Sequence, residues 1–268
     1  MGSVIGSVLA EKSPGSVLWV GEGRSSASRS RAEACGLRDV DSLEAISLQA
    51  DVILSVCPPE AADATAEAVV DAGFAGLYVD ANAVSPQTAR RIASRFERFV
   101  DGGIVGPPPT APGLTRLYLA GQEAETVAAL FDDTAVEARL VGGVGGAGSE
   151  AGAASAVKMC YASWTKGTSA LLLAIRALAE AEGVTEALLG EWETSIPDLV
   201  ARSAGVSAAV GPKAWRFEGE MREIAATFAE RGLPGDFHEG AAEIYQRLAT
   251  LKGSDRPSLD EALSLLLA

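Results

Sequence analysis

DVILSVCPPEAADATAEAVVDAGFAGLYVDAN occupies residues 51–82, and its reading decides the fold. VILSV (52–56) is a continuous apolar run, the pattern of a parallel strand buried on both faces. Pro58 and Pro59 end it. PEAADATAEAVVDAG (59–73) carries its apolar residues on one side of a helix. GLYVDA (76–81) is a second short apolar run. Strand, helix and strand in this order form a βαβ unit, whose crossover sets the two strands parallel.

The same alternation extends in both directions. MGSVIGSVLAEK (1–12) reads as a helix from the first residue, and SVLWV (16–20) as a strand. SASRSRAEACG (26–36) is a helix stopped by Gly36. Downstream, SPQTARRIASRF (85–96) is a helix with Ser85 as N-cap and Pro86 at its first position. RFVDGGIVG (98–106), TRLYLAG (115–121) and ARLVGG (138–143) read as strands, with EAETVAALFDD (123–133) as the helix before the last of them. Such alternation predicts an α/β fold, a mostly parallel, doubly wound sheet of the Rossmann type. Ligands bind such sheets at the carboxyl ends of the strands, here the loops GEGRS, CPP, NAVSP and GPPPTAPG.

Near Val141 the composition changes. GGVGGAGSEAGAAS (142–155) passes into SAVKMCYASWTKGTSALLLAIRALAEAEGV (155–184), long, apolar and helical in period, with Gly183 as its stop. LLGEWETSIPDLVARS (188–203), RFEGEMREIAATFAERG (216–232) and HEGAAEIYQRLATL (238–251) all repeat at the helical period. Two domains are expected: a nucleotide-binding-type domain over 1–146 and an all-helical domain over 147–268.

Bulk properties narrow the function classes. The chain has 268 residues, 48% of them hydrophobic, enough for a sizeable core. Its net charge is −14 and it has no block of lysine or arginine, which argues against nucleic acid as a partner. Arg24, Arg29 and Arg31 form a local basic cluster. No apolar run reaches membrane-spanning length, and no basic segment followed by an apolar run suggests a signal peptide. Cys35, Cys57 and Cys160 match no metal-ligand spacing, and His238 is the one histidine, so no metal site is expected. Reduced thiols suggest a cytoplasmic protein.

Several residues stand out chemically. In the loop after the 16–20 strand, Arg24 offers a planar fork suited to a 2′-phosphate and Ser25 one more hydrogen bond, while Glu22 could serve a free 2′-hydroxyl. NADP is therefore favoured over NAD. Cys57 and Pro58 end a central strand where backbone can pack on a cofactor, although a structural thiol is the better reading of Cys57. Asn82 could bind a ligand amide or hold its turn. Gly103 and Gly106 lie in the Gly/Pro-rich 100–113 stretch that can shape a substrate pocket. Lys158 sits within an apolar helix, where desolvation would suit it to proton transfer; the competing reading is a snorkelling surface lysine. Tyr161, three residues on, could share its face, and Trp164 extends the region. His238 could be an acid or base, or a satisfied structural histidine. Met1 and Gly2 could be the tail of a glycine-rich phosphate loop.

WVGEGRSSASRSRAEACGL, DVILSVCPP, YVDANAVSP, FVDGGIVGPPP and VKMCYASWTKG, in this order, resemble the β-hydroxyacid dehydrogenases, the superfamily of 6-phosphogluconate and 3-hydroxyisobutyrate dehydrogenases. RFEGEMREIAATFAERGLP points to a less-characterised branch with its own helical C-terminal domain. The resemblance covers nearly the whole chain. It implies an NADP-dependent oxidoreductase moving a hydride between nicotinamide and a small hydroxy or carbonyl substrate. Lys158 matches the catalytic lysine, with Tyr161 or His238 assisting. Met1 and Gly2 match the end of the family's G-x-G-x-M-G loop, and Arg24 and Ser25 the loop of NADPH users. Cys57, Pro58 and Asn82 fall where the family lines its cofactor. A homodimer through the helical domain is also implied.

There are departures. Where the family reads D-A-P-V-S-G-G, this chain has Asp101-Gly102-Gly103-Ile104-Val105-Gly106-Pro107. Val105 replaces the serine that helps hold a substrate carboxylate, and Ala162 replaces an asparagine. A less polar substrate, or an imine as in the related imine reductases, becomes an alternative. The family also has a strand and two glycines before the Met-Gly, so the sheet is expected to lack its first strand. A non-catalytic or truncated cofactor-binding scaffold is the rival expectation from another class.

Overall fold

The computed structural model describes residues 1–142 and 150–268, which divide into two compact units, 1–159 and 160–268. The predicted domain boundary at 146/147 lies outside the described residues. In the first unit, α1 (Gly2–Lys12), β1 (Leu18–Val20), α2 (Ser26–Ala34), β2 (Arg38–Val40) and α3 (Leu43–Ser47) are followed by β3 (Val52–Ser55), α4 (Pro59–Asp71), β4 (Leu77–Asp80), α5 (Pro86–Ala93), β5 (Phe99–Val105), β6 (Thr115–Ala120), α6 (Ala124–Leu130) and β7 (Val136–Leu140). The long helix α7 (Ala153–Ala181) begins in this unit and continues into the second.

The strands form two sheets. β1 and β2 make a parallel pair, and β3-β4-β5-β6-β7 make a five-stranded sheet. Every pairing is parallel except β5 with β6. The predicted mixed α/β fold with a mainly parallel sheet and a helical C-terminal region is thus observed. The antiparallel step follows from the short 106–114 connection, since a parallel return needs a far longer crossover.

Alternation along β4 distributes the core. Leu77 and Val79 face a cluster with Ile5 and Val8 of α1, Val100, Leu117, Leu119 and Val127. Tyr78 faces the opposite cluster, with Ala62, Ala66 and Val69 of α4 and Ala89 and Ile92 of α5. Helices cover both faces, which is why the strands read as unbroken apolar runs. Lys12, at the end of α1, donates to the carbonyls of Ala129, Leu130 and Asp132 (3.2, 3.4 and 2.9 Å), placing a cation at the C-terminal end of α6. Ser85 caps α5 with Pro86 in its first turn, as predicted.

The second unit contains the rest of α7, then α8 (Thr185–Ser195), α9 (Asp198–Val210), α10 (Ala214–Glu230), α11 (Asp236–Arg247) and α12 (Leu259–Leu267). The segment 188–203, helical in period, is divided between two helices: Ile196 precedes Pro197 and takes φ −145, ψ 66, because a residue before proline is driven from the helical region. Met221, Ile224, Ala242, Tyr245 and Leu248 build its core, with Phe217 and Tyr245 edge to face at 5.3 Å. A part-buried ion pair joins Lys166 to Glu220. Among the described residues no helix is long and apolar enough to cross a membrane.

Candidate functional site

The first unit gathers its candidates at the carboxyl ends of the strands. β3 ends at Ser55 and β4 at Asp80, and Asn82 ties the two ends together. Its Oδ1 accepts the Cys57 amide at 2.5 Å, its Nδ2 donates to Ser55 Oγ at 3.0 Å, and its own amide donates to Asp80 Oδ1 at 2.9 Å. At 2% exposure its side chain is occupied by these bonds. Burial pushes the Cys57 thiol up, with the positive charge of Arg24 among the weaker influences pulling it down. Cys57 Sγ has Thr65 Oγ1 at 3.8 Å. A thiol raised in this way is a poor nucleophile. Pro58, exposed, stands at the N-cap position of α4.

The N-terminus of α1 lies at the same edge. Met1 stands at its N-cap position, and its side chain makes no cap hydrogen bond. A Cβ on Gly2 would stand 3.4 Å from Val56 Cβ, just past the end of β3. The amides of such a first turn suit an anion. Arg24 is exposed in the loop after β1, its amide bonded to the Gly21 carbonyl at 3.2 Å. The Ser25 hydroxyl is taken by the N-cap of α2, where it meets Ser28 N and Oγ at 3.3 and 3.2 Å. Asp39, a residue that no sequence pattern singles out, shapes this loop. It accepts the Gly21 amide at 2.8 Å and Arg29 Nη1 at 3.2 Å. Helix start, exposed guanidinium and turn backbone thus lie around the carboxyl ends of β1 and β3, where anionic groups of a dinucleotide could be received.

The second group is where β5 meets α7. β4 pairs with β5 only as far as Asp101, so residues 102–105 run past it. Lys158, half-buried on α7, donates from Nζ to the Ile104 carbonyl at 2.7 Å in this overhang. A Cβ on Gly103 would stand 2.7 Å from the Ala154 carbonyl oxygen and 3.2 Å from Lys158 Cβ. Gly103 is thus needed for the close approach of strand and helix. Gly106 has φ +110, and a Cβ there would meet the Leu114 carbonyl oxygen, so its role is to turn the chain. Asp101 is fully buried. Its Oδ2 accepts the amides of Gly152 and Ser155 at 2.9 and 3.0 Å, and its Oδ1 the Ser155 hydroxyl at 2.6 Å. Burial nevertheless pushes its carboxyl up to about 6, against the pull of those hydrogen bonds.

The remaining candidates belong to the second unit. Tyr161 and Trp164 are exposed, at 45% and 67%. His238, expected as a possible acid or base, is 5% exposed, with the Phe228 ring at 4.5 Å and the Phe237 ring edge-on at 5.1 Å. Burial lowers its pKa, and its buried Nδ1 has no hydrogen-bond partner among the described residues. Asp101 and Ser155 are the residues sequence reasoning missed. Asp101 stood in plain view in the 100–113 stretch, but only the contact with α7 gives it a role.

Residues 179–248 match a family described as a domain of unknown function, DUF1932. An uncharacterised 28.5 kDa protein from Methanothermus fervidus is 27% identical over 170 residues, spanning 63% of this chain and 63% of that relative's length. Among solved structures, the conserved protein MTH1747, of unknown function and described as similar in structure to 3-hydroxyacid dehydrogenases, is 28% identical. It has a TM-score of 0.65 and coverage of 93% of each chain. The fold also matches 3-hydroxyisobutyrate dehydrogenase from Mycobacterium tuberculosis, with a TM-score of 0.68 at 18% identity, covering 100% of this chain and 96% of that one. The matched C-terminal segment and the α/β fold before it make the chain similar to proteins described as resembling 3-hydroxyacid dehydrogenases.

Proposed function

We propose that the protein is an NADP-dependent oxidoreductase acting on a small hydroxy or carbonyl substrate, with Lys158 relaying the proton. The observation that carries this reading is the half-buried Lys158 ammonium, held 2.7 Å from the Ile104 carbonyl at the overhanging end of β5. A nicotinamide dinucleotide, when bound, supplies or receives the hydride. The chain's own residues do the rest. The start of α1 would receive the pyrophosphate and Arg24 the 2′-phosphate, which favours NADP over NAD. The Asn82 network holds the ends of β3 and β4 so that their backbone can line the ring-bearing side. Lys158 gives its proton to, or takes it from, the substrate oxygen, and Tyr161 stands one helical turn further along α7.

Val105, 3% exposed, stands where the resembling enzymes carry a serine for a carboxylate. This supports a substrate less polar than a hydroxy acid, with imine reduction as the second reading. The exposed residues Tyr161, Trp164, Leu171 and Leu178 alternate three and four apart along α7 with Thr168 and Ile175 between them, the spacing of a helix seam, and support a homodimer. The three free cysteines suit a cytoplasmic protein.

The test is a titration with NADPH and NADH in parallel, followed by turnover against panels of 3-hydroxy acids, aldehydes and cyclic imines. NADPH should bind the more tightly, and Arg24→Ala should erase the preference. Lys158→Ala should lower turnover by about 100-fold or more while leaving NADPH affinity unchanged. Turnover that survives this change sinks the assignment of Lys158. Binding of neither nucleotide favours the non-catalytic scaffold.

A further inference from the structure

Lys158 owes its position to β5 as much as to α7. Three features of the strand meet the first turns of the helix in succession. Asp101 takes the Gly152 and Ser155 amides and the Ser155 hydroxyl. Gly103, two residues on and so on the same face, brings Ala154 and Lys158 Cβ against the strand. The Ile104 carbonyl then receives Lys158 Nζ. Ser155 and Lys158 are three residues apart, one above the other on the helix. Gly152 is itself confined, since a Cβ there would stand 3.0 Å from the Pro86 carbonyl oxygen and 2.9 Å from Arg90 Nη1.

We propose that Asp101 is a positioning residue for Lys158: by clamping Gly152 and Ser155 it fixes the first turn of α7, and so sets the Lys158 ammonium against the Ile104 carbonyl. Three donors converge on Asp101, two on one oxygen and one on the other. A carboxylate accepts at both oxygens, whereas an asparagine would present an NH₂ to one of these donors. The meaning of this for catalysis rests on the reading of Lys158 as the proton relay; the clamp itself does not.

The test is pulse labelling of the full chain with an amine-reactive succinimidyl ester, read lysine by lysine through peptide mass spectrometry. Lys12 serves as internal control, because its Nζ is also held on backbone carbonyls of the first unit, away from Asp101 in sequence and bonded to α6 and the residues after it. In Asp101→Asn, Lys158 should label about tenfold faster, the scale of losing one hydrogen bond to a charged group, while Lys12 keeps its rate. Ser155→Ala keeps the carboxylate, tests the same clamp if the first variant does not fold, and should give a smaller rise. Asp101→Glu should not restore the wild-type rate, since its longer side chain cannot keep three short bonds. An unchanged Lys158 rate, or a rise matched by Lys12, overturns the proposal. Turnover that survives Lys158→Ala would instead remove the proton-relay reading and leave the labelling result standing.

Discussion

Replacing Gly103 with alanine adds one methyl group where β5 and α7 are closest. That carbon would stand 2.7 Å from the Ala154 carbonyl oxygen, while ordinary contact begins at 3.4 Å, so α7 must retreat by about 0.7 Å. The carbonyl is helix backbone and cannot rotate aside. Lys158 Cβ, at 3.2 Å, has to move in the same direction. Overpacking of this kind costs about 1–3 kcal/mol, opposed by a gain of roughly 0.4–1 kcal/mol from stiffening the unfolded chain. For a chain of this size the net loss should lower Tm by a few degrees, at about 2–4 °C per kcal/mol. The effect on chemistry should be much larger, because a displacement near 1 Å at a reacting group costs on the order of 100-fold in rate. Calorimetry and NADPH turnover, measured on the same preparation, separate the two. A small fall in Tm with a large fall in turnover is expected. A Tm and a Lys158 labelling rate both equal to wild type would show that strand and helix are not in contact here, and the positioning of Lys158 would need another cause.

Gly205 in α9 and Gly240 in α11 have nothing within 4 Å of the point where a Cβ would stand, so Gly205→Ala and Gly240→Ala should each stabilise the chain by about 0.5–1 kcal/mol, measured by urea titration. Glu220→Ala takes the carboxylate away from the part-buried Lys166 and should cost about 3–5 kcal/mol, whereas the double change Lys166→Met with Glu220→Leu should recover most of it. Asp101 is raised from 3.8 to about 6 in the folded state, so it favours folding when protonated. This contribution, about 3 kcal/mol, is fully present below pH ~3.8 and is lost as pH rises through about 6. Asp101→Asn should flatten that limb of the stability curve, and a variant curve parallel to wild type would refute the linkage. Leu171→Glu with Leu178→Glu should shift a dimer to monomer in analytical ultracentrifugation, without change in helical circular dichroism.

Much of the fold was legible because each central strand is buried on both faces and each covering helix has a polar side. Leu77–Asp80 reads as an apolar run for that reason; Val52–Ser55, expected to be central and buried on both faces, instead stands at the edge of the five-stranded sheet with its apolar residues part-buried, and Ser85-Pro86 announced its helix through cap chemistry. What escaped had weaker physical signals. β2 is Arg-Asp-Val, three residues of which two are exposed and charged, so it has neither an apolar run nor an alternation to detect. α3 has five residues, too few for a helical period. α12 does carry local signals, the Ser258 cap on the Glu261 amide and its repeating leucines, but in only nine residues. The antiparallel turn of β6 depends on loop length and packing, which local pattern does not carry.

The site divides along the same line. Lys158 could be singled out because a charge in an apolar helix is costly unless it is held, and the structure supplies the holder in Ile104. Asp101 heads the stretch that resembles the family's D-A-P-V-S-G-G, but nothing local says what its carboxylate holds. Its significance is a relation between residues some fifty positions apart, the carboxylate of β5 and the amides of Gly152 and Ser155. The same holds for Asn82, whose three partners lie on two strands and the turns that follow them. Residue type therefore marks which group can do the chemistry, while what fixes that group in place is spread over contacts that exist only after folding. Gly103 is the one place where the two meet. The glycine is visible in the sequence as a departure from the family's proline, and its reason, a helix carbonyl 2.7 Å from where a Cβ would be, is visible only in the fold. A substitution there should therefore disturb Lys158 without touching any group that reacts.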